Sequence, residues 1–176
     1  MEQQELVSII MPAFNAAATI ACAIDSVLSQ TYQYWELIVI NDASSDKTAE
    51  IAAAYAARDS RICMISNEKN MGVSETRMRG MQASHGQWLA MLDSDDAWKP
   101  DKLEKQMRIA GMGKAQLVFT GSSYMDSLGK PRKWVFHVPE MVSYRKLLKQ
   151  NVISNSSVLI RKDWYERSIL HAENIH

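Results

Sequence analysis

Over the first 120 residues, short apolar runs rich in β-branched side chains alternate with stretches of helical periodicity. The runs at residues 6–11 (LVSIIM), 34–40 (YWELIVI), 61–66 (RICMIS), 87–92 (QWLAML) and 116–120 (QLVFT) have the length and composition of buried strands. Between the first two, Ile20, Ala23, Ile24, Val27 and Leu28 recur at helical spacing within residues 16–30. The body EIAAAYAARD is made of strong helix formers, and Ser44 or Ser45 is placed to cap it. A further helix runs to about residue 84, and Gly86 sits where a helix C-terminal glycine belongs. Pro100 falls in the first turn of a helix ending near residue 112. Strict alternation of this kind folds as a mostly parallel sheet with helices on both faces.

After residue 120 the rhythm breaks. Residues 126–132 (DSLGKPR) signal a turn, 133–138 a short strand, 143–150 a short helix and 157–160 a final strand. The chain then stops at LHAENIH with no recognisable closing element. The division is an α/β core over 1–120 and a smaller, irregular region over 121–176 of the same domain.

With 47% apolar and 23% charged residues, 176 residues suffice for one well-packed core. Twenty basic side chains balance twenty acidic ones, so no global field recruits nucleic acid or an anionic surface. Cys22 and Cys63 lie among apolar neighbours and read as buried free thiols of a reducing compartment. No apolar stretch is long enough to span a bilayer, and the N-terminus lacks the order of a signal peptide. These features point to a cytoplasmic chain and leave room for a peripheral membrane contact.

Ligands of open parallel sheets bind beyond the carboxyl ends of the strands. Here those ends are Pro12, Ala13, Phe14 and Asn15; then Asn41 and Asp42; then the 70–72 loop; then Asp93, Ser94, Asp95 and Asp96. Three carboxylates within four residues repel one another unless a cation joins them. Hard divalent ions such as Mg²⁺ and Mn²⁺ favour carboxylate oxygen and complete their shells with substrate phosphate. The other reading is a solvated turn in which Asp96 caps the helix containing Pro100. Neither GxGxxG nor GxxxxGK[ST] occurs, so phosphate would be held by metal and by side chains, with Arg77 and Arg79 as candidates or as solvated helix charges. A phosphatase of the haloacid dehalogenase type does not fit, because its nucleophilic aspartate belongs on the first strand and Ala97 stands where it has Thr or Val.

The ordered blocks IIMPAFN, IDSVLSQTY, WELIVINDASSDKT, NMGVSETRMRG and GQWLAMLDSDDAWKPDKLEKQ, with a weaker SNSSVLIRK, resemble the family 2 glycosyltransferases of the GT-A fold. The resemblance implies a Rossmann-like sheet followed by an acceptor-side region. It also implies inverting transfer from a nucleotide-sugar, commonly UDP-linked, to a saccharide or lipid-linked saccharide in bacterial surface polysaccharide synthesis, with a divalent cation. Residue by residue, Pro12, Ala13 and Phe14 match the nucleobase pocket, Phe14 replacing the usual tyrosine, and Asp42 matches the acid that binds the uracil ring. Asp46 matches a recurrent acid of structural character. Gly72 and Arg77 match a loop and helix near the diphosphate, although Thr76 and Met78 depart from the usual alanine and asparagine. Asp93-Ser94-Asp95 matches the metal motif, with Asp95 as the favoured ligand, Asp93 facing ribose or metal and Asp96 assisting. Trp134, Phe136, His137 and Tyr144 are aromatic groups available either to an acceptor sugar or to the core.

An inverting transferase needs a general base on the acceptor side. In the family that base is an aspartate in a Glu-Asp pair after the SSVLIRK-like strand. The resemblance therefore places the base beyond His176, with Glu173 as the alternative. A sugar-nucleotide-binding module lacking the base is the rival function.

Overall fold

In the computed structural model, residues 4–113, 115–126 and 131–173 are described. The main sheet has six strands in the order β3-β2-β1-β4-β8-β5. They are β1 (Val7–Ala13), β2 (Trp35–Asn41), β3 (Ile62–Ser66), β4 (Trp88–Met91), β5 (Leu117–Val118) and β8 (Leu159–Arg161). β1 pairs in parallel with both β2 and β4, and β2 with β3. The strand–helix alternation expected from the sequence is therefore realised. The final strand expected at 157–160 is β8; what the sequence did not reveal is that it inserts antiparallel between β4 and β5 and carries the second region into the core sheet.

β1 lies at the centre, and every residue of VSIIMPA is buried. Its side chains alternate between two cores. Val7, Ile9 and Met11 pack with α1 (Ile20–Leu28), α2 (Thr48–Ala56) and α4 (Lys102–Met112) through Ile20, Ile24, Ala52 and Leu103. Ile10, with Ile38, Ile40, Leu89 and Met91, packs against Met81 of α3 (Val73–Gln82) and, at the edge, Tyr165 of α6 (Lys162–Glu173). α6 is the last described element, in a stretch where the sequence showed no recognisable element. Lys162 ties it back to the body through Nζ to the Ser84 carbonyl at 2.6 Å.

Pro12 decides where the cleft opens. In the parallel ladder the backbone of residues 8, 10 and 12 faces β4, and the last bond runs from Leu92 N–H to Ile10 C=O at 3.1 Å. The next would need an N–H on residue 12, which proline lacks. β1 continues with β2 to the Ala13–Asn41 pair, while β4 departs. The gap lies between β1 and β4, where successive connections change direction across the sheet.

Several local expectations change. α2 is not capped by Ser44 or Ser45; Asp46 Oδ1 accepts from the Thr48 N–H at 2.9 Å, and its Oδ2 accepts from Ala17 N–H at 3.0 Å. Asp46 is thus structural, because a carboxylate two residues before the helix reaches its first amide. Gly86 is not a left-handed helix end. A Cβ there would lie 2.6 Å from the Leu6 carbonyl and 2.7 Å from the Ser8 nitrogen, so glycine allows the chain to cross β1. The two cysteines are free but exposed, Cys22 on the outer side of α1 and Cys63 on the edge strand β3. Apolar neighbours in sequence do not bury a residue whose own side faces solvent.

The remaining strands, β6 (Ser122–Met125) and β7 (Pro131–Phe136), form a separate antiparallel ribbon, followed by the short α5 (Tyr144–Leu147). Trp134 is 73% exposed and Phe136 38%, so neither belongs to the core. The side chain of Tyr144 lies outside the described residues.

Gly86→Ala should lower stability by about 2–4 kcal/mol, since two of the three close neighbours are backbone atoms and the third is the Ser8 hydroxyl. Gly111→Ala, in α4 with nothing within 4 Å of the added methyl, should be neutral or stabilise by up to about 1 kcal/mol. Urea denaturation of the two variants beside wild type checks the pair.

Candidate active site

The loops at the carboxyl ends of β1, β2 and β4 and the loop after β3 meet around the β1–β4 gap. Phe14, 52% exposed, directly follows β1. Asn15 adopts φ 49°, and its side-chain oxygen accepts from Ser45 N–H at 2.9 Å, so it fastens the first loop to the second. Pro12 and Ala13 are buried, and they contribute shape and backbone rather than side-chain chemistry.

Asp42 is buried beneath this surface, with only 3% exposure. Its Oδ1 accepts from Asn67 Nδ2 at 2.6 Å and from Met71 N–H at 2.8 Å, and its Oδ2 from Gly72 N–H at 2.9 Å. Burial alone would raise its pKa, but the hydrogen bonds from Asn67, Met71, Thr76 and Gly72 outweigh it and hold the carboxyl below the usual carboxylate range. Thr76, a departure from the family pattern, is fully buried and joins this cluster by accepting from Asn67 Nδ2 at 3.1 Å. Gly72 takes φ 82° and ψ 160°, a backbone region essentially reserved for glycine. Asp42 therefore clamps the 67–72 loop, and a nucleobase N–H would have to share an acceptor already in use. Arg79 serves the same loop, donating to Asn67 Oδ1 at 2.5 Å and to the Ser66 carbonyl at 3.1 Å.

The acidic cluster is not three equivalent groups. Asp93 Oδ1 receives Arg77 Nη2 at 2.6 Å and Asn155 Nδ2 at 3.0 Å. Its backbone N–H donates to Ser156 Oγ at 3.1 Å. The Ser156 hydroxyl in turn hydrogen-bonds Asp96. Loss of solvent raises the Asp96 pKa, the Ser156 hydrogen bond opposes the rise, and the charges of Asp95 and Asp93 add to it. Asp95 is exposed and carries no hydrogen bond among the described residues, and Ser94 lies half-buried beside it. Asp96 does not cap α4; the residue before that helix is Asp101.

Among the described residues, no three acidic, histidine or cysteine side chains form a metal cage. The expected trio Asp93, Asp95 and Asp96 is thus not a preformed three-ligand site, because Arg77 and Asn155 occupy Asp93. The donor set nevertheless fits a cation held by one or two carboxylates and completed by substrate oxygens. Asp95 accepts no hydrogen bond among the described residues, and desolvation, with a smaller contribution from the charges of Asp95 and Asp93, raises the Asp96 pKa.

From Asp95 and Asp96 a cleft of about 750 Å³ extends toward the β6–β7 ribbon. Its walls include Trp98, Tyr124, Phe136 and Asn151. Trp134 and His137 are exposed and are not part of the lining. Glu173 ends α6, and its side chain, like His176, lies outside the described residues.

This chain matches the family model for Glycosyl transferase family 2 over residues 8–169. The chain belongs to glycosyl transferase family 2. Among family members it is 39% identical over 155 residues to UDP-Glc:alpha-D-GlcNAc-diphosphoundecaprenol beta-1,3-glucosyltransferase WfgD of Escherichia coli, covering 88% of this chain and 60% of WfgD. It is 37% identical over 158 residues to TuaG of Bacillus subtilis, named for teichuronic acid biosynthesis, covering 90% of this chain and 63% of TuaG. The chain thus spans about three fifths of the length of these relatives. In fold it is similar to S. aureus TarS 1–349 in complex with UDP, with a TM-score of 0.76 at 19% identity over 92% of this chain and 48% of that one. It is likewise similar to the mannosyltransferase PcManGT of Pyrobaculum calidifontis in complex with GDP-Man and Mn²⁺, with a TM-score of 0.71 at 16% identity over 94% and 47% of the two chains.

Within this family 2 site, the groups that sequence reasoning missed are Asn67, Trp98, Asn155 and Ser156. The SNSSVLIRK block was visible, but nothing local connects Asn155 to a carboxylate 62 positions earlier.

Asp42→Asn should loosen the 67–72 loop, because an amide NH₂ opposes the Met71 or Gly72 N–H. A loss of about 1–3 kcal/mol at pH 7 is expected, with faster amide exchange at Met71 and Gly72. The native carboxyl is more acidic than in the unfolded chain, so its contribution is present above the ordinary carboxylate value and is lost as pH falls through the folded pKa. The wild-type advantage should therefore shrink below about pH 4, as read from denaturation curves across pH.

Proposed function

We propose that this family 2 chain binds a nucleotide-sugar, UDP-linked, and transfers the sugar with inversion to a saccharide carried on a lipid. The observation that carries the reading is the unengaged Asp95 carboxylate beside Asp96, at the mouth of the cleft where β1 and β4 part. Asp95, with Asp96, would hold Mn²⁺ or Mg²⁺, and a cation there supplies positive charge to a leaving diphosphate. Arg77, fixed by Asp93, adds a second cationic group at the donor side. The ring of Phe14 offers a stacking face for the nucleobase, and the Asp42-clamped loop with Gly72 borders it. Phe136 and Tyr124 give the cleft aromatic walls suited to a sugar face. The UDP and Mn²⁺ of the neighbours named above and the diphosphoundecaprenol acceptor of WfgD favour this donor, cation and acceptor class.

The acceptor-side surface supports a lipid-linked substrate at the inner face of the cytoplasmic membrane. No helix among the described residues is long and apolar enough to cross a membrane. Residues 131–150 carry five basic side chains, Arg132, Lys133, Arg145, Lys146 and Lys149, against the single acid Glu140. Exposed Trp134, Met141 and Leu148 lie among them. Basic and aromatic groups together suit a peripheral contact with anionic lipid. Glu173 is not assigned as the general base, because Glu173-Asn174 does not match the Glu-Asp pair of the family.

A thermal-shift panel of UDP, GDP and their sugar conjugates with and without Mn²⁺ tests the donor. UDP with Mn²⁺ should stabilise wild type, and Asp95→Ala should lose the metal-dependent part. Retention of that part by Asp95→Ala would remove the site assignment. A binding module would show the shift and no transfer. Glu173→Gln should change transfer by less than about twofold, whereas loss of a true base costs about 10²–10⁴.

A further inference from the structure

Lys102, the first residue of α4, is a cation with 7% exposure and no carboxylate within ion-pair distance among the described residues. A buried ammonium without a counter-ion destabilises a fold, and desolvation lowers its pKa from 10.5 to about 7. Its contacts show where it acts. Nζ donates to Gln106 Oε1 at 2.7 Å and lies 3.9 Å from the centroid of the Trp98 ring. Both of these side chains grip the same short turn. Trp98 Nε1 donates to the Ser156 carbonyl at 2.8 Å, and Gln106 Nε2 donates to the Ser157 carbonyl at 2.9 Å and the Val118 carbonyl at 3.0 Å. Because the Gln106 NH₂ is committed to two carbonyls, its oxygen must face the ammonium. The turn, a 3₁₀ segment over Asn155–Ser157, holds Asp93 through Asn155 Nδ2 and Ser156 Oγ, and holds Asp96 through the Ser156 hydroxyl.

We propose that Lys102 is a positioning residue, a buried cation that locks Trp98 and Gln106 onto consecutive carbonyls of the 155–157 turn and thereby sets the carboxylates of Asp93 and Asp96 for metal-dependent donor binding. The donor half of this statement rests on the function proposed above. The positional half concerns only this chain's own contacts. Within helix α4 a purely structural position would be better filled by an apolar side chain of the same length, which would avoid the buried charge. A group that lowers stability beside a cleft is a candidate for work in that cleft.

The deciding variant is Lys102→Met, close in length and without charge, studied in the whole chain. Three readouts are taken: the thermal midpoint, amide exchange at Asp93, and UDP affinity by calorimetry with and without Mn²⁺. The expected result is a midpoint equal to or above wild type, Asp93 exchange at least tenfold faster with Ile9 and Met11 unchanged, and Mn²⁺-dependent UDP affinity lower by about tenfold. Affinity without Mn²⁺ should stay within about twofold, since the nucleoside contacts lie across the gap. Unchanged Asp93 exchange in a folded Lys102→Met variant overturns the proposal, whatever the nucleotide data. If wild type itself shows no Mn²⁺-dependent UDP binding, the donor reading fails, and the exchange data still decide the positional role. Should Lys102→Met not fold, Trp98→Phe keeps a ring beneath the ammonium and removes only the N–H to Ser156. It must speed Asp93 exchange in the same way, and failure to do so equally overturns the proposal.

Discussion

A missing hydrogen-bond donor organises this molecule. The β1–β4 ladder ends at Leu92 because residue 12 is proline, and the two central strands part at the level where their loops begin. Had the ladder continued, Asp93 would have stayed in the sheet. Instead it leads a turn in which Asp95 faces solvent and Asp96 sits against Ser156. The position of the site follows from this break together with the sheet order, which reverses direction between β1 and β4.

The two sides of the gap solve different physical problems. On the β2 side a carboxylate is buried and saturated. Asp42 exchanges solvent for donors from Asn67, Met71, Thr76 and Gly72, and the result is an ordered loop leading into α3. On the β4 side the negative charge is left only partly compensated. Asp93 is neutralised by Arg77, but Asp96 has its pKa raised and Asp95 has no partner among the described residues. Saturated acids build structure, and unsaturated ones remain available to a ligand. The three aspartates that look alike in DSDD thus divide into one positioning group and two open ones.

The later region completes the site from far away in sequence. Asn155 and Ser156 reach Asp93 across more than 60 residues, and Trp98 and Gln106 brace them from α4 and the loop before it. β8, following directly, enters the sheet beside β4, so the turn is anchored to the same strand whose end it supports. Among the described residues the β6–β7 ribbon pairs with no strand of the main sheet. Its exposed Tyr124 and Phe136 form a wall of the cleft instead of a core.

Periodicity made the first five strands and four helices legible, because a buried strand or an amphipathic helix writes its environment into consecutive residues. Residues at strand ends were legible as candidates for the same reason, since polar groups stop apolar runs. Caps and surface positions were less legible. Ser44, Ser45 and Asp46 are all good caps, and only the path of the chain selects Asp46. Cys22 and Cys63 sit among apolar residues, yet facing decides exposure. By itself the sequence determined the α/β alternation, the family and the strand ends where chemistry gathers, because each is encoded in local pattern. Only the tertiary structure decided that β8 runs antiparallel within the sheet, that Asp42 is saturated, that Asp93 belongs to Arg77 and Asn155, and that Lys102 is buried with no counter-ion among the described residues. These depend on contacts between residues far apart in the chain, and no local pattern records which distant donor a carboxylate will meet.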